Sequence, residues 1–138
     1  RRHGAFAMQW LARISNDRER YYFYRLSSVE QRQLTKILYL PGFAADASAV
    51  LGSLGTPESQ HALVDFASQN SISLDEREFA AAAFAKSVKR GGTLLTVADV
   101  QLQYDRYQAS TDDPKESRQI LAGLLDAIEE RIRSAEAQ

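Results

Sequence analysis

Two stretches of the sequence bring together residue types that can recognise a partner. The first is Arg18-Glu19-Arg20-Tyr21-Tyr22-Phe23-Tyr24-Arg25, in which guanidinium groups can grip carboxylates or phosphates and aromatic rings can stack on bases or cover apolar side chains. Arg18, Arg20, Tyr21, Tyr22, Tyr24 and Arg25 are therefore the candidate partner-binding residues. A structural role competes and weighs more: Tyr22 and Tyr24, or Tyr21 and Phe23, can anchor a connector against neighbouring helices. The second stretch is Gln101 to Gln108. Its Tyr104 and Tyr107 fall on an apolar stripe, where buried phenols need hydrogen-bond partners. Asp105 and Arg106 point elsewhere and are available to pair with a neighbouring unit.

Catalytic chemistry finds little to build on. His3 and His61 are the two histidines, and neither has a second histidine or a suitably spaced carboxylate for metal ligation or base catalysis. Gly52-Ser53-Leu54-Gly55 has the wrong spacing for a nucleophile elbow and sits at a helix end. Gly91-Gly92 follows a helix, which makes it a stop signal and not a phosphate cradle. The paired acids Asp75-Glu76 and Asp112-Asp113 stand at helix starts, where the dipole favours them, and Glu129-Glu130 lies beside Arg131 and Arg133 on a solvated face. With no cysteine, thiolate metal sites, cysteine nucleophiles and disulfides are excluded. No catalytic, metal or cofactor-binding residue is assigned, and the expectation is that the chain is not an enzyme.

Composition agrees with a globular protein. The 138 residues are 44% hydrophobic and 25% charged, enough for one domain with a real core and too apolar for wholesale disorder. Net charge is −1, so the total does not point to nucleic acid or an anionic membrane. It hides an asymmetry: residues 1–40 hold eight basic and three acidic residues, a local +5, and the remainder is −6. No apolar run approaches the roughly 18 residues of a membrane helix, so no membrane partner is expected. The chain opens RRHGAF without an initiating methionine, so a piece excised from a longer polypeptide is expected. No address signal is evident; a cytoplasmic setting is favoured.

Apolar residues recur at helical spacing almost throughout. Phe6, Ala7, Trp10, Leu11 and Ile14 define a helix over 3–15. Ser27 and Glu30 form a capping box ahead of a helix with Leu34, Ile37 and Leu38 inward, stopped by Pro41-Gly42. Ala47, Val50, Leu51 and Leu54 stripe the next. Thr56-Pro57-Glu58 is a cap, a first-turn proline and an acid at the positive helix end, and the helix behind it buries Leu63, Val64, Phe66 and Ala67. Ser73 and Glu76 form another capping box, ahead of a helix carrying Arg77, Lys86, Lys89 and Arg90. Thr96 and Asp99 open a helix with Val97, Val100, Tyr104 and Tyr107 on its core stripe. Asp113-Pro114 begins a long one with Ile120, Leu121, Leu124, Leu125, Ile128 and Ile132 inward. About seven helices and no strand are expected.

The starts repeat: Thr56 to Thr96 and Ser73 to Asp113 are each 40 residues apart. Under that offset Phe84 meets Leu124, Val88 meets Ile128 and Ala83 meets Gly123. The segments VLGSLGTPESQHALVDFA and SLDEREFAAAAFAKSV resemble HEAT repeats, the latter a small-residue second helix introduced by Asp75 and Arg77. The resemblance to this HEAT or armadillo-like α-solenoid family covers residues 44–133. In the last repeat the matching positions are Lys115 and Ser117, a departure from the pattern. It implies an all-α fold, a right-handed α-α superhelix of helical hairpins, in a single domain over 1–138. Residues 1–43 would form atypical N-terminal helices, with repeat-like hairpins at 44–95 and 96–138.

In such a stack the second helix of a hairpin touches neighbours on several faces, which accounts for Ala80 to Ala83: alanine lets helices approach closely, while Phe79, Phe84 and Val88 fill the remaining gaps. One of the four alanines is expected to be exposed. The resemblance implies a non-catalytic scaffolding or protein-protein interaction module whose partner is another protein or another domain of the same chain. A nucleic-acid-binding helical-repeat domain, using the basic, aromatic N-terminal region, is the alternative and ranks behind it.

Overall fold

The computed structural model of the chain describes residues 28–136, with side chains over 30–130. Six helices make up the described residues and no strand is among them: α1 Ser28–Leu38, α2 Ala44–Leu54, α3 Pro57–Ala67, α4 Leu74–Gly91, α5 Val97–Ala109 and α6 Lys115–Glu136. The helix expected over 3–15, the Ser27 cap and Ile132's side chain lie outside the described residues.

Helix starts are written locally, through side chains that satisfy first-turn amides. Thr56 Oγ1 accepts from the Ser59 N–H at 3.1 Å, and Ser59 Oγ accepts from the Thr56 N–H at 3.0 Å. Thr96 and Asp99 make the same reciprocal pair, both bonds at 3.1 Å. Ser73 departs from the expected box. Its hydroxyl accepts from the Glu76 N–H at 3.4 Å and lies 3.1 Å from the Glu76 carboxylate, which it reaches as donor in place of the Ser73 backbone N–H. Ends are set by glycine: Gly55 at φ 60° caps α2, and Gly92 at φ 85° returns its N–H to Val88 O at 2.7 Å after α4.

Consecutive helices pair as α1 with α2, α3 with α4 and α5 with α6, and α4 also packs against α2 and α6. The core is therefore centred on α4, where Ala80, Phe84 and Val88 are buried between neighbours on three sides. Equivalent positions 40 residues on, Ile120, Leu124 and Ile128, are buried as well. Burying one large apolar side chain of this kind stabilises by about 1.5–3 kcal/mol. Leu34 and Leu38, Ala47, Val50 and Leu51, and Leu63, Val64, Phe66 and Ala67 complete this core, with Ile37 and Leu54 partly buried against it.

The alanine run divides as a helix surface must: Ala80 is fully buried, Ala81 and Ala83 are half-buried and Ala82 is exposed. Ala83 faces Gly52 so closely that a Cβ on Gly52 would lie 3.0 Å from Ala83 O and 3.1 Å from Ala83 Cβ, so at this crossing the small residues do set the distance of helix approach. Two expected core residues face out instead. Phe79 is 49% exposed and Val97 is 89% exposed. In α5 the buried residue is Gln103, followed by the buried C-cap Ser110, with Val100, Tyr104 and Tyr107 only half-buried. Polar side chains occupy the place where an apolar stripe starting at Val97 was expected.

Candidate interaction surface

Several buried polar side chains hold the helices in relative position. Gln60 on α3 is fully buried. Its Nε2 donates to Ser87 Oγ at 3.1 Å and to Gly92 O at 3.0 Å, and its Oε1 accepts from the Leu94 N–H at 2.8 Å. One side chain thus clamps the end of α4 and the turn into α5. Gln103, also fully buried, donates to Ser68 Oγ at 3.1 Å and accepts from Arg106 at 2.5 Å.

Arg77, 2% exposed, donates from Nε to Ala67 O at the end of α3, 2.8 Å away. Burial pushes its guanidinium below the ordinary value, and the nearby Asp113 carboxylate opposes that shift. In the following hairpin Ser117 stands at the equivalent position, buried, with its hydroxyl donating to Asn70 Oδ1 at 2.7 Å. Asn70 in turn donates to Asp113 at 3.1 Å. Ser117 thus makes a polar link between the turn after α3 and the start of α6.

The residues of the second recognition stretch divide as expected for Arg106, which pairs with Asp65 of α3 at 2.6 Å. Asp105 instead accepts from Gln101 on its own helix, at 3.1 Å. The Tyr104 hydroxyl donates to the Glu129 carboxylate, and that bond holds the phenol above its ordinary value. Tyr107 carries the Arg118 guanidinium 4.3 Å above its ring. These contacts join α5 to α3 and α6. His61, exposed on α3, does have a carboxylate neighbour: its Nδ1 lies 3.5 Å from Asp99 Oδ1. Asp99 is held below the usual carboxylate range, chiefly by the Thr96 N–H, with the His61 side chain adding a smaller effect.

A shallow cleft of about 260 Å³ lies between α2 and α4. Its floor is made of small residues, Ala45, Ala49 and Gly52 from α2 with Ala82 and Ala83 from α4. Phe79 stands at one end; Lys86 and Arg90 stand at the other. Along α4 these side chains recur at steps of three and four, one face of the helix. From Phe79 to Arg90 is about 16 Å at 1.5 Å per residue, three turns. Arg90 is positioned by its Nη2, which donates to Gly52 O and Ser53 O, each at 2.9 Å, the last-turn carbonyls of α2.

The cleft's chemistry is that of contact. Its ionisable lining residues are the two cations Lys86 and Arg90, so proton abstraction has no base there, while an apolar side chain or an anion has a counterpart. Among the described residues no group of three His, Asp or Glu could hold a metal ion, and no helix is long and apolar enough to cross a membrane. Arg18, Arg20, Tyr21, Tyr22, Tyr24 and Arg25, the residues singled out from sequence, lie outside the described residues. The cleft was missed because Phe79 was assigned to the interior. Its signal was nonetheless present, as the stripe Phe79, Ala82, Ala83, Lys86, Arg90. Set against protein-family models, curated proteins and solved structures, the chain matches none.

Proposed function

We propose that the chain is a non-catalytic protein-protein interaction module, its HEAT-like hairpins stacked as a right-handed α-α superhelix, and that it receives a helical segment of a protein in the cleft between α2 and α4. The observation that carries this reading is Phe79, half exposed at the mouth of a cleft floored by alanine and glycine. A large aromatic left partly in water beside a floor of small side chains is suited to a helix that lays its own apolar face there. The basic pair Lys86 and Arg90 then selects an acidic residue about two turns along that helix. Stacked hairpins suit such a role because the buried layer can stay constant while the outward face varies.

The test places a photoreactive amino acid at position 82 of the chain in cells, with position 58 on the outer helix α3 as control. The expected result is polypeptide adducts at position 82 that fall at least tenfold in yield with Lys86→Glu and are absent at position 58. Adducts to nucleic acid, or equal yields at both positions, refute the reading.

A further inference from the structure

The exposed face of α4 is laid out so that it complements itself. At its N-terminal end stand Asp75 and Glu78, both exposed; at its C-terminal end stand Lys86, Lys89 and Arg90, also exposed; between them lie Phe79 and Ala82. Asp75, Phe79, Ala82, Lys86 and Lys89 follow one another at steps of four, three, four and three. That spacing keeps a seam facing one partner helix. A helix that is acidic at one end and basic at the other matches a copy of itself turned end to end, and a two-fold axis requires that kind of match because the same patch is used twice.

We propose that this face binds a second copy of the chain, with the two α4 helices antiparallel and the two-fold axis at Ala82. The inference rests on the interaction reading above and names the partner. In this arrangement Ala82 of one copy meets Ala82 of the second copy. Phe79 lies against Lys86 of the second copy, its ring under the alkyl stem and ammonium. Asp75 faces Lys89 of the second copy. Small side chains at the axis let the helices approach closely, and the charges at both ends set the antiparallel sense and oppose a parallel one. A contact of three turns is at the low end of interface sizes, so the pair is weak and concentration-dependent.

Sedimentation equilibrium of the whole chain tests this, with an average mass expected to rise above 15.4 kDa as concentration increases and to fall back as salt is added. Ala82→Glu brings like charges together at the axis and is expected to weaken association at least tenfold. Because Ala82 is exposed, the helical circular dichroism should be unchanged. The chain has no cysteine, so Ala82→Cys supplies a clean cross-link: mild oxidation should give a disulfide-linked dimer, and Glu58→Cys on α3 should not. Association unaffected by Ala82→Glu, or equal cross-linking at both positions, overturns the proposal. So does a monomer at every concentration. In that last case, polypeptide adducts from position 82 mapping to another protein would leave the interaction reading standing, and their absence would remove both.

Discussion

Replacing Gln60 by leucine should uncouple the end of α4 from α3 at a cost that can be worked bond by bond. The wild-type side chain makes three hydrogen bonds, to Ser87 Oγ, Gly92 O and the Leu94 N–H. Leu94 is exposed and Gly92 is half-buried, so water can replace the glutamine there and each loss costs about 0.5–1.5 kcal/mol. Ser87 is 2% exposed, and leaving its hydroxyl without that partner costs about 1–3 kcal/mol. Against a sum of about 2–6 kcal/mol stands the extra apolar burial of leucine, about 1 kcal/mol, which leaves a net loss of about 1–5 kcal/mol. Urea unfolding followed by circular dichroism should show the midpoint falling by about 1–2 M at unchanged slope. Hydrogen exchange at the Leu94 amide should accelerate. Gln60→Glu sharpens the test, because it sets a carboxylate against the Gly92 carbonyl. Burial would raise that group's folded pKa above its unfolded value, so stability present at low pH is lost as pH rises through the carboxylate range and beyond. An unchanged midpoint for Gln60→Leu, or strict additivity with Ser87→Ala in a double-mutant cycle, would refute the clamp.

The alanine run offers a paired comparison: Ala80→Leu should cost about 1–3 kcal/mol by overpacking a fully buried site, whereas Ala82→Leu should leave the unfolding midpoint of the monomer unchanged. Glycines make a second pair, read by thermal unfolding. Gly52→Leu should destabilise by about 1–3 kcal/mol, since even a Cβ there meets Ala83 O at 3.0 Å; Gly123→Ala, with open space around the added methyl, should gain up to about 1 kcal/mol from helix propensity. Acid titration addresses the α5 cap. The Asp99 carboxylate is depressed in the folded state, so its contribution is fully present above the ordinary carboxylate pKa and disappears as pH falls through the depressed value. Asp99→Asn should flatten the acid limb of the stability profile, and Thr96→Ala should cost about 0.5–2 kcal/mol at every pH. An acid limb identical in Asp99→Asn would show that the cap carries no charge effect.

Helix starts and stops were legible because they are local events. Thr56, Ser73 and Thr96 reach amides three residues on, a distance set by helix geometry alone, and Gly55 and Gly92 supply the positive φ of the exits. The inward stripes of α4 and α6 were legible too, since Phe84, Val88, Leu124 and Ile128 are all buried. Helix α5 was misread for a definite reason. An apolar pattern marks burial only where no polar partner is at hand, and Gln103 is buried because Ser68, 35 residues earlier, comes within 3.1 Å of it.

What the sequence determined by itself was the set of helices among the described residues, most of their ends and most of their inward stripes, because backbone capping and apolar periodicity act within one helix. What only the tertiary structure decided was which flank of α4 meets α2 and which meets water. Phe79 and Phe84 are chemically identical and five residues apart, yet one lines an open cleft and the other is fully buried. That difference is set by the close approach of Gly52 to Ala83 and by the Arg90 bonds to α2, contacts between residues some 30 to 40 positions apart whose meeting no local pattern encodes.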